Sequence, residues 1–508
     1  MRVINVMRNS VYSLVQFFSV AILSFGVRKI FTVYLSVDLL GLEGFFSNAV
    51  AMLSLAEMGI GSIISYQLFS SIAKKDIDET NMLLNIYRYI YKYIGISIII
   101  ISIILCPFIS YIVKPTSIDS WYIYLVYWIQ IGIVLSSYFL AYRRIIFTAS
   151  QKDYVLSKID LTCNVMKNIG QIAAIIIFKE YTLYAMFNLL FNIIANVIVV
   201  YISPKYFPYL QCSQVTLNDI KKRNIFHDVK NFFIHKISYL VYGSTDAIII
   251  TSLISVTAAG LYANYLLIRN GINQIIDKAL QGIVPSLGEL VNKESDDKIY
   301  QIFCMLDLAY FMISMIVGCS CLVVMQPFIN LFFGEKFLLS DSFVFAFCFL
   351  EFIGPQFNNT YNFRMVRGNY EQDRNFMILA AVANLACSII GAYYWGISGI
   401  MWGTVIAFTF IVYGRIRFVF NNIIHASMLK YIASHLFFTI IFVLISIAFN
   451  NILKIYNPVV SYIDLIINLC ICIIGMLVIQ SVFFFRTKAY RDMLAYSRSI
   501  ISVIKSKL

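Results

Sequence analysis

The sequence predicts an all-α polytopic membrane protein with about fourteen transmembrane helices. Of its 508 residues, 60% are hydrophobic and only 13% are charged, and the mean hydropathy is +0.80. Apolar runs recur along the whole chain, and many reach the roughly 20 residues that a bilayer core of about 30 Å requires. A soluble domain with a single core would not be this apolar from end to end.

The first apolar run sets the start of the membrane region. It follows Arg2 and Arg8, exceeds the length of a signal-peptide core and has no small-residue cleavage pattern, so we expect it to remain as the first helix. The predicted spans, uncertain by a few residues at each end, are 10–36, 44–72, 84–113, 121–147, 155–178, 182–203, 228–254, 258–290, 299–333, 341–363, 375–395, 398–420, 431–453 and 460–485.

Lysine and arginine residues are distributed unequally between alternate connections. With the N-terminus in the cytoplasm, the external connections hold only Lys114, Lys179, Lys336 and Lys454, and the remaining loops and the tail hold the large majority. This bias predicts an even number of spans with both termini inside. Much of the net charge of +13 therefore reflects the orientation of the chain in the membrane. We accordingly expect no nucleic-acid partner, despite the basic composition.

The residues that carry enzyme chemistry are sparse. The ten cysteines lie mostly in apolar runs without zinc-site spacing, and the four histidines are scattered. No Ser/His/Asp set or nucleotide-binding glycine-rich loop is evident, and the external loops are short. We therefore predict no catalytic residue, no metal and no cofactor, and a membrane-embedded polymerase is the least favoured class.

The hairpin at 28–65 contains charges inside two apolar runs. Arg28 and Lys29 lie within the first run and Glu57 within the second. An ionised side chain in hydrocarbon costs roughly 2.5–3.5 kcal/mol on insertion scales, so such residues usually face a partner or a water-filled cavity. We expect this hairpin to line a cavity, although Glu57 alone is equally compatible with bonding to local backbone or serine groups.

Polar residues recur at helical spacing in spans 1, 5, 7 and 8, which predicts that each of these helices has one polar face in contact with water. Span 5 carries Asp160, Asn164, Lys167 and Gln171, and span 8 carries Arg269, Asn273, Asp277 and Gln281. These stripes are expected to face a shared central cavity. The structural alternative is an internal ion pair, Asp160 with Lys167 and Arg269 with Asp277. Arg143 and Arg144 are expected to extend toward lipid phosphates.

The two halves of the chain repeat a short pattern. Ser36-Val37 precedes GFFSN at 44–48, and Ser255-Val256 precedes GLYAN at 260–264, at the starts of spans 2 and 8. Six spans per unit would produce parallel repeats related by an axis along the membrane normal. The longest internal connection, roughly 205–223, lies between spans 6 and 7, as a linker between two lobes should.

Two hairpins resemble a known family. LGLEG at 40–44 with LSLAEMGIGS at 53–62, and DAIII at 246–250 with GLY at 260–262, are similar to segments of Wzx-type bacterial polysaccharide flippases. These flippases belong to the multidrug/oligosaccharidyl-lipid/polysaccharide (MOP) exporter superfamily. The resemblance covers nearly the whole chain in span count and topology, and these two hairpins in motif.

The resemblance implies a MATE-like architecture, with two six-helix lobes around a central cavity and two additional C-terminal helices. It implies an N-terminal lobe at 1–212, a C-terminal lobe at 213–424, and two helices with a basic cytoplasmic tail at 425–508. The implied activity is alternating-access transport of undecaprenyl-diphosphate-linked oligosaccharide across the bacterial cytoplasmic membrane, for capsule, O-antigen or exopolysaccharide assembly. Membrane lipids, a polysaccharide polymerase and chain-length machinery are the implied partners.

Within that function, cations inside the spans are candidates to bind the diphosphate, since guanidinium forks and ammonium groups pair with phosphate oxygens. These are Arg28, Lys29, Lys167, Lys236 and Arg269, with Glu57 beside them. Candidate sugar-binding residues are Asn48, Asn264, Asn273, Gln356, Asn358, Asn359, Tyr361 and Asn362, the last five following a predicted kink at Pro355. Candidate coupling carboxylates are Asp160, Asp246, Asp277 and Asp307, with Glu57.

Three other functions, two of them in transport, are compatible with the pattern to different degrees. A lipid II flippase also needs a cationic cavity, and the sequence separates it poorly from the polysaccharide branch. A cation-coupled multidrug exporter would need an acidic lumen, and no carboxylate occurs between Asn9 and Leu35. A scaffold without transport activity is disfavoured by the buried cations on several helices.

Overall fold

The computed structural model describes residues 2–53, 60–113, 118–211, 213, 215, 241–280, 287, 291, 294–367 and 374–505. Within these ranges the chain forms α-helices with short 3-10 and π segments, and it contains no β-strand. Nine helical segments of the described ranges are long and apolar enough to cross a membrane. The predicted all-α polytopic fold class is therefore confirmed.

By its internal contacts the chain divides into two compact units, Met1–Ala263 and Asn264–Leu508. The helices of the first unit are α1 (Arg2–Tyr34), α2 (Val37–Leu53), α3 (Ile60–Lys74), α4 (Ile77–Leu105), α5 (Ile109–Ile112), α6 (Ser120–Leu140), α7 (Arg144–Ala149), α8 (Asp153–Ala173), α9 (Tyr181–Tyr206) and α10 (Val241–Ile254). Helix α11 (Val256–Leu280) begins in the first unit and continues into the second. The predicted lobe boundaries at 212 and 424 remain predictions.

The helices that follow all belong to the second unit. They are α12 (Asp296–Phe332), α13 (Asp341–Ile353), α14 (Asn358–Arg367), α15 (Arg374–Asn422), α16 (Met428–Tyr456), α17 (Tyr462–Phe484) and α18 (Lys488–Lys505). Each of the predicted spans overlaps helical segments in the described ranges, and of the predicted span 228–254 only 241–254 is described.

Two sequence-predicted boundaries coincide with breaks in helices. Helix α13 ends at Ile353, a 3-10 turn runs from Pro355 to Phe357, and α14 then begins, so the kink predicted at Pro355 is confirmed. Helix α15 contains two predicted spans, 375–395 and 398–420. Its regular backbone is interrupted at Gly396, where φ is +58°. That conformation is one that residues with a Cβ rarely adopt, which explains the glycine.

Apolar packing in the first unit fixes the position of α8. One cluster joins Phe31 of α1, Phe46 of α2 and Tyr127 of α6, and another joins Leu68 of α3 with Phe147 of α7. Helix α8 packs against both α1 and α9. Because neighbouring helices cover α8 on more than one side, its residues Asp160, Asn164 and Lys167 lie between helices of the unit.

Helices α2 and α11 cross in backbone contact near their N-termini. A Cβ built at Gly41 would lie 1.9 Å from the Val256 carbonyl oxygen, and one built at Gly260 would lie 2.2 Å from the Val37 carbonyl oxygen. The contact is reciprocal, and each glycine follows a Ser-Val pair at the same interval. The glycine that corresponds to Gly260 is therefore Gly41, and the predicted pairing of Gly260 with Gly44 is wrong.

The close contact at Gly260 predicts that a larger residue there will lower the stability of the protein. Gly260→Ala should destabilise the protein by about 1–3 kcal/mol, because the new methyl group forces the two helix backbones apart. Thermal unfolding of the purified protein measures the loss. Gly26→Ala in α1 is the matched control, since a Cβ there meets nothing within 4 Å. Equal melting temperatures for the two variants would contradict the prediction.

Helix α12 is the centre of the second unit and packs against α13, α16, α17 and α18. Phe311 and Cys319 of α12 form one apolar cluster with Phe442 of α16 and Cys472 of α17. Helix α18 is fixed at its start by a hydrogen bond from Gln301 Nε2 to an Asp492 carboxylate oxygen (2.7 Å). The last two predicted spans are thus attached to the second unit through α12.

Candidate functional site

The polar stripe of α8 lines a pocket inside the first unit. The pocket has a volume of about 360 Å³ and lies between α6, α8 and α9. Its polar lining residues are Ser137, Arg144, Asp160, Asn164, Lys167, Asn188, Asn192 and Asn196. The spacing of four, three and four residues therefore placed Asp160, Asn164 and Lys167 on one face, as the sequence predicted. Gln171, the next member, is buried, and its Nε2 donates to the Tyr184 carbonyl oxygen (3.3 Å).

The carboxylate of Asp160 is paired with Arg144, not with Lys167. One terminal nitrogen of Arg144 donates to Asp160, and the other donates to the Asn196 amide oxygen at 3.2 Å. The predicted Asp160–Lys167 pair is wrong, since seven residues of helix separate the two by about 10 Å. The expectation that Arg144 extends to lipid phosphates is also wrong. A 3-10 turn at Ala141–Arg143 precedes α7 and brings Arg144 against α8.

Arg143 is likewise held by protein groups. Its guanidinium donates to the Val200 carbonyl oxygen (3.1 Å) and to the Ser203 hydroxyl (2.7 Å). Both acceptors belong to α9, so Arg143 links the 3-10 turn before α7 to α9. The prediction that Arg143 reaches lipid headgroups is therefore wrong.

Lys167 is the half-buried cation of this pocket without a fixed partner. It has no hydrogen-bond or ion-pair partner in the part of the chain that the structure describes. Glu43 is the carboxylate that acts on it electrostatically, without direct contact. An ammonium group held among asparagine amides and free to accept a ligand is the feature that an anion-binding site requires.

Glu43 is the centre of a second polar cluster, at α1, α2 and α9. It accepts a hydrogen bond from the Tyr184 hydroxyl (3.1 Å) and lies 3.9 Å from an Arg28 terminal nitrogen. That nitrogen is buried and lacks a hydrogen-bond partner among the described residues. The Arg28–Glu43 contact is thus a loose pair. Glu43 was not among the predicted site residues, although it lies in the LGLEG segment as a carboxylate close to an apolar run.

The two clusters together carry a positive charge. The cations Arg28, Arg144 and Lys167 stand against the carboxylates Glu43 and Asp160, a net charge of +1 for these five side chains. Charge inside a membrane unit is screened far less than at a water-exposed surface. This interior therefore favours an anionic ligand over a cationic one.

The other predicted residues of the first unit either contact groups of the protein or lie outside the described ranges. Lys29 is half-buried and contacts other groups of the protein. The Asn48 amide donates to the Gly44 carbonyl oxygen of its own helix (2.8 Å). Asp246 is buried and engaged with other groups. Glu57 and Lys236 lie outside the described residues.

In the second unit, Arg269 is bound to Glu351, a carboxylate that was not among the predicted site residues. Its Nε donates to Glu351 Oε1 at 2.7 Å, and its guanidinium lies over the Phe347 ring at 5.5 Å from the centroid. The Glu351 side chain is only 2% exposed. The alternative pairing of Arg269 with Asp277 is wrong, because Asp277 is exposed and lies two helical turns away.

The predicted sugar-binding amides of the second unit are mostly used in packing. Asn359 is fully buried, and its amide donates to the Phe303 carbonyl oxygen (3.2 Å). Asn362 is buried and donates to the Tyr310 hydroxyl (2.7 Å). Asn264 is fully buried and has no hydrogen-bond partner among the described residues. Asn273 and Asn358 are half-buried.

Asp307, a predicted coupling carboxylate, binds two side chains of α16. It accepts from the Tyr431 hydroxyl (2.8 Å) and lies 2.8 Å from His435 Nε2. In the described ranges no three His, Cys, Asp or Glu side chains are grouped so that they could hold a metal ion.

We compared the sequence and the structure with those of known proteins. No protein-family model and no curated protein matches the sequence. Among solved structures, an inward-facing multidrug resistance MATE family transporter of the MOP superfamily matches with a TM-score of 0.57 and 13% identity, covering 77% of this chain and 93% of that chain. The chain has the fold of the MOP superfamily transporters.

Two further matches extend this likeness. The lipid II flippase MurJ, in an inward closed conformation, matches with a TM-score of 0.67 and 16% identity over 95% of this chain and 99% of its own. A MOP superfamily transporter from Pyrococcus furiosus, described by a reversed polarity of its binding pocket, matches with a TM-score of 0.55 and 14% identity over 82% and 96%. The predicted superfamily architecture is thus confirmed as a fold, and the Wzx-type branch stays a prediction.

Proposed function

We propose that this protein is a flippase that moves undecaprenyl-diphosphate-linked oligosaccharide repeat units across the bacterial cytoplasmic membrane. The observation that carries the proposal is the polar pocket of the first unit, where half-buried Lys167 has no ion-pair partner among the described residues. The MOP fold, which includes a lipid II flippase among its matches, supports a lipid-linked cargo. The product would be delivered to a polysaccharide polymerase and its chain-length machinery outside the membrane.

The pocket suits the charged and sugar portions of such a cargo. An ammonium group pairs with a phosphate oxygen as a point charge, and asparagine amides donate to and accept from sugar hydroxyls. A volume of about 360 Å³ accommodates only part of the head group. Lys167 would therefore hold an anionic group, with the sugars continuing beyond the pocket.

Arg28 would supply the second contact to the anion. Its pair with Glu43 spans 3.9 Å and leaves one terminal nitrogen without a hydrogen bond among the described residues. A diphosphate oxygen would satisfy that nitrogen, because charge-assisted bonds to guanidinium are among the strongest in proteins. Outward movement of the negative head group is favoured by an inside-negative potential, at about 2.3 kcal/mol per charge per 100 mV.

A cation exporter of the multidrug type fits the same residues poorly. Such a cargo requires a carboxylate free to bind it, whereas Asp160 and Glu43, the carboxylates of the two first-unit clusters, each lie beside an arginine. A lipid II flippase remains the second candidate. The whole-chain match to MurJ favours it, and its cargo shares the diphosphate that Lys167 and Arg28 would bind.

Reconstitution tests the proposal directly. Proteoliposomes containing the full chain and a fluorescent undecaprenyl-diphosphate-linked oligosaccharide should show time-dependent loss of protection from a membrane-impermeant quencher. Parallel vesicles with lipid II, and with a cationic dye, compare the three cargo classes. Transport of the dye without either lipid-linked sugar would overturn the proposal, and transport of lipid II alone would establish the second candidate.

A further inference from the structure

A pocket in the second unit lies where several helices begin or end. It has a volume of about 440 Å³ and is lined by the N-terminal halves of α12 and α16, by the last turn of α15 and by the junction of α17 with α18. Its lining is mostly apolar and includes five phenylalanine side chains. All of the lining residues belong to the second unit, so the residues proposed to bind the diphosphate of the cargo do not contribute to it.

The polarity of the lining changes along the helices. Lys430 and Ser434 lie in the first two turns of α16, Thr487 lies just beyond the end of α17, and all three are exposed. Phe438 lies about 12 Å further along α16 than Lys430, at a rise of about 1.5 Å per residue. Its ring contacts that of buried Phe484 at 5.0 Å between centroids. The pocket therefore has a polar mouth at the helix ends and an aromatic floor.

Helix α18 brings positive charge to this mouth. Its first residue, Lys488, is exposed and lies between two lining residues of the pocket, Thr487 and Ala489. The segment 486–508 contains six lysine and arginine residues and a single acidic residue, Asp492, which is hydrogen-bonded to α12. Such an excess of basic residues favours an anionic partner.

The same helix also carries apolar side chains that the protein leaves uncovered. Leu494 and Tyr496 are 40% and 58% exposed, and the neighbouring Arg491 is exposed as well. The helix continues to Lys505, and Arg498 and Lys505 follow Arg491 at intervals of seven residues, which places the three basic positions on one face. Exposed apolar residues beside a basic face are typical of a helix that lies at a bilayer interface.

The acidic groups near the pocket do not suit it to a cationic headgroup. Asp307 is buried, accepts a hydrogen bond from the Tyr431 hydroxyl (2.8 Å) and lies 2.8 Å from His435 Nε2, so both of its oxygens are engaged. The two aspartates in the first turn of α12 are not among the lining residues. At the mouth, the charged lining residue is Lys430, which is cationic near pH 7.

We propose that this pocket and the adjoining face of α18 bind one anionic phospholipid of the membrane. The phosphate of the lipid pairs with Lys430 and with the basic start of α18, and one acyl chain lies along the aromatic floor. A volume of about 440 Å³ suits a headgroup with part of one acyl chain, and not the much longer polyprenyl chain of the proposed cargo. The lipid site does not depend on the proposed function.

Thermal unfolding of the purified full chain with added lipid tests the site. A ligand that binds the native state raises the melting temperature, so phosphatidylglycerol added to the detergent solution should raise it by several degrees. Phosphatidylcholine with the same acyl chains carries no net charge and should raise it less than half as much. Native mass spectrometry should show one phosphatidylglycerol molecule that stays bound after the others have dissociated.

Three variants locate the site. Lys430→Gln removes the charge at the mouth and should weaken the binding of the retained phosphatidylglycerol about threefold. Lys454→Gln, at an exposed lysine near the other end of α16, is the matched control and should bind it as the wild type does. Ser434→Trp fills the mouth from an exposed position and should abolish binding, with an unchanged melting temperature in the absence of lipid.

Several outcomes would overturn the proposal. Equal thermal gains from the two phospholipids, or wild-type binding of phosphatidylglycerol by both Lys430→Gln and Ser434→Trp, would remove the site. Displacement of phosphatidylglycerol by undecaprenyl phosphate at equal concentration would assign the pocket to the polyprenyl carrier instead. A change of oligomeric state in Ser434→Trp with unchanged lipid binding would show that a second copy of the chain covers the mouth.

Discussion

Lys167→Ala is expected to reduce translocation of the lipid-linked oligosaccharide by roughly ten- to a hundredfold, with normal amounts of protein in the membrane. A hydrogen bond to a charged group contributes about 1.5–3 kcal/mol, and each 1.4 kcal/mol changes a binding constant tenfold. Stability should change little, because the lysine has no ion-pair partner in the described structure whose charge would be left buried. Initial rates in proteoliposomes at low cargo concentration measure the effect.

Two further variants separate charge from shape at this position. Lys167→Arg retains the positive charge and should keep a substantial part of the activity. Lys158→Ala, on an exposed face of the same helix, removes a lysine that lies over the Tyr12 ring at 4.6 Å and should leave transport unchanged. Wild-type rates for Lys167→Ala, or equal losses for Lys158→Ala, would remove the assignment of Lys167 as the anion-binding residue.

The stripe of α8 shows what helical periodicity can and cannot predict. Steps of three and four residues fix which side chains share a face, so the grouping of Asp160, Asn164 and Lys167 followed from the sequence. The partner of Asp160 did not, because Arg144 approaches from another helix after a 3-10 turn. Periodicity describes one helix at a time, and the contacts between helices depend on packing that it does not contain.

The same limit explains the missed glutamates. Glu43 and Glu351 have no basic residue at a pairing distance on their own helices, and each is neutralised by an arginine from another helix. Glu351 lies in the strongly apolar stretch FVFAFCFLEF of α13, where an isolated carboxylate signals a buried partner. A search for the isolated carboxylates would have found both, but it would not have identified the arginines.

Two breaks within the helices of the second unit were predictable from the sequence. The breaks at Pro355 and Gly396 follow from the conformational restriction of proline and the freedom of glycine, both of which are local properties. The reciprocal contact of Gly41 and Gly260 was not predicted, because the repeat pairs Gly260 with Gly44. That pairing matches similar residue types, whereas the backbone contact depends on the interval between each glycine and the start of its helix.

Glu351→Ala is expected to be among the most destabilising single substitutions in the second unit, at about 3–5 kcal/mol. Its carboxylate is 2% exposed and binds the Arg269 Nε at 2.7 Å, so its removal takes this buried negative charge away from a half-buried guanidinium. Arg269→Ala should cost a similar amount for the converse reason. Reduced abundance in the membrane and a lower melting temperature of the purified protein measure both effects.

The double variant Arg269→Met with Glu351→Met separates stability from substrate binding. Replacement of a buried ion pair by apolar groups of similar volume is often neutral or stabilising, so the double variant should recover the stability that each single variant loses. Because Glu351 already satisfies Arg269 in this structure, we expect the double variant also to transport. A stable double variant that fails to move the lipid-linked sugar would instead assign Arg269 to the cargo, with Glu351 holding the arginine in place until the diphosphate arrives.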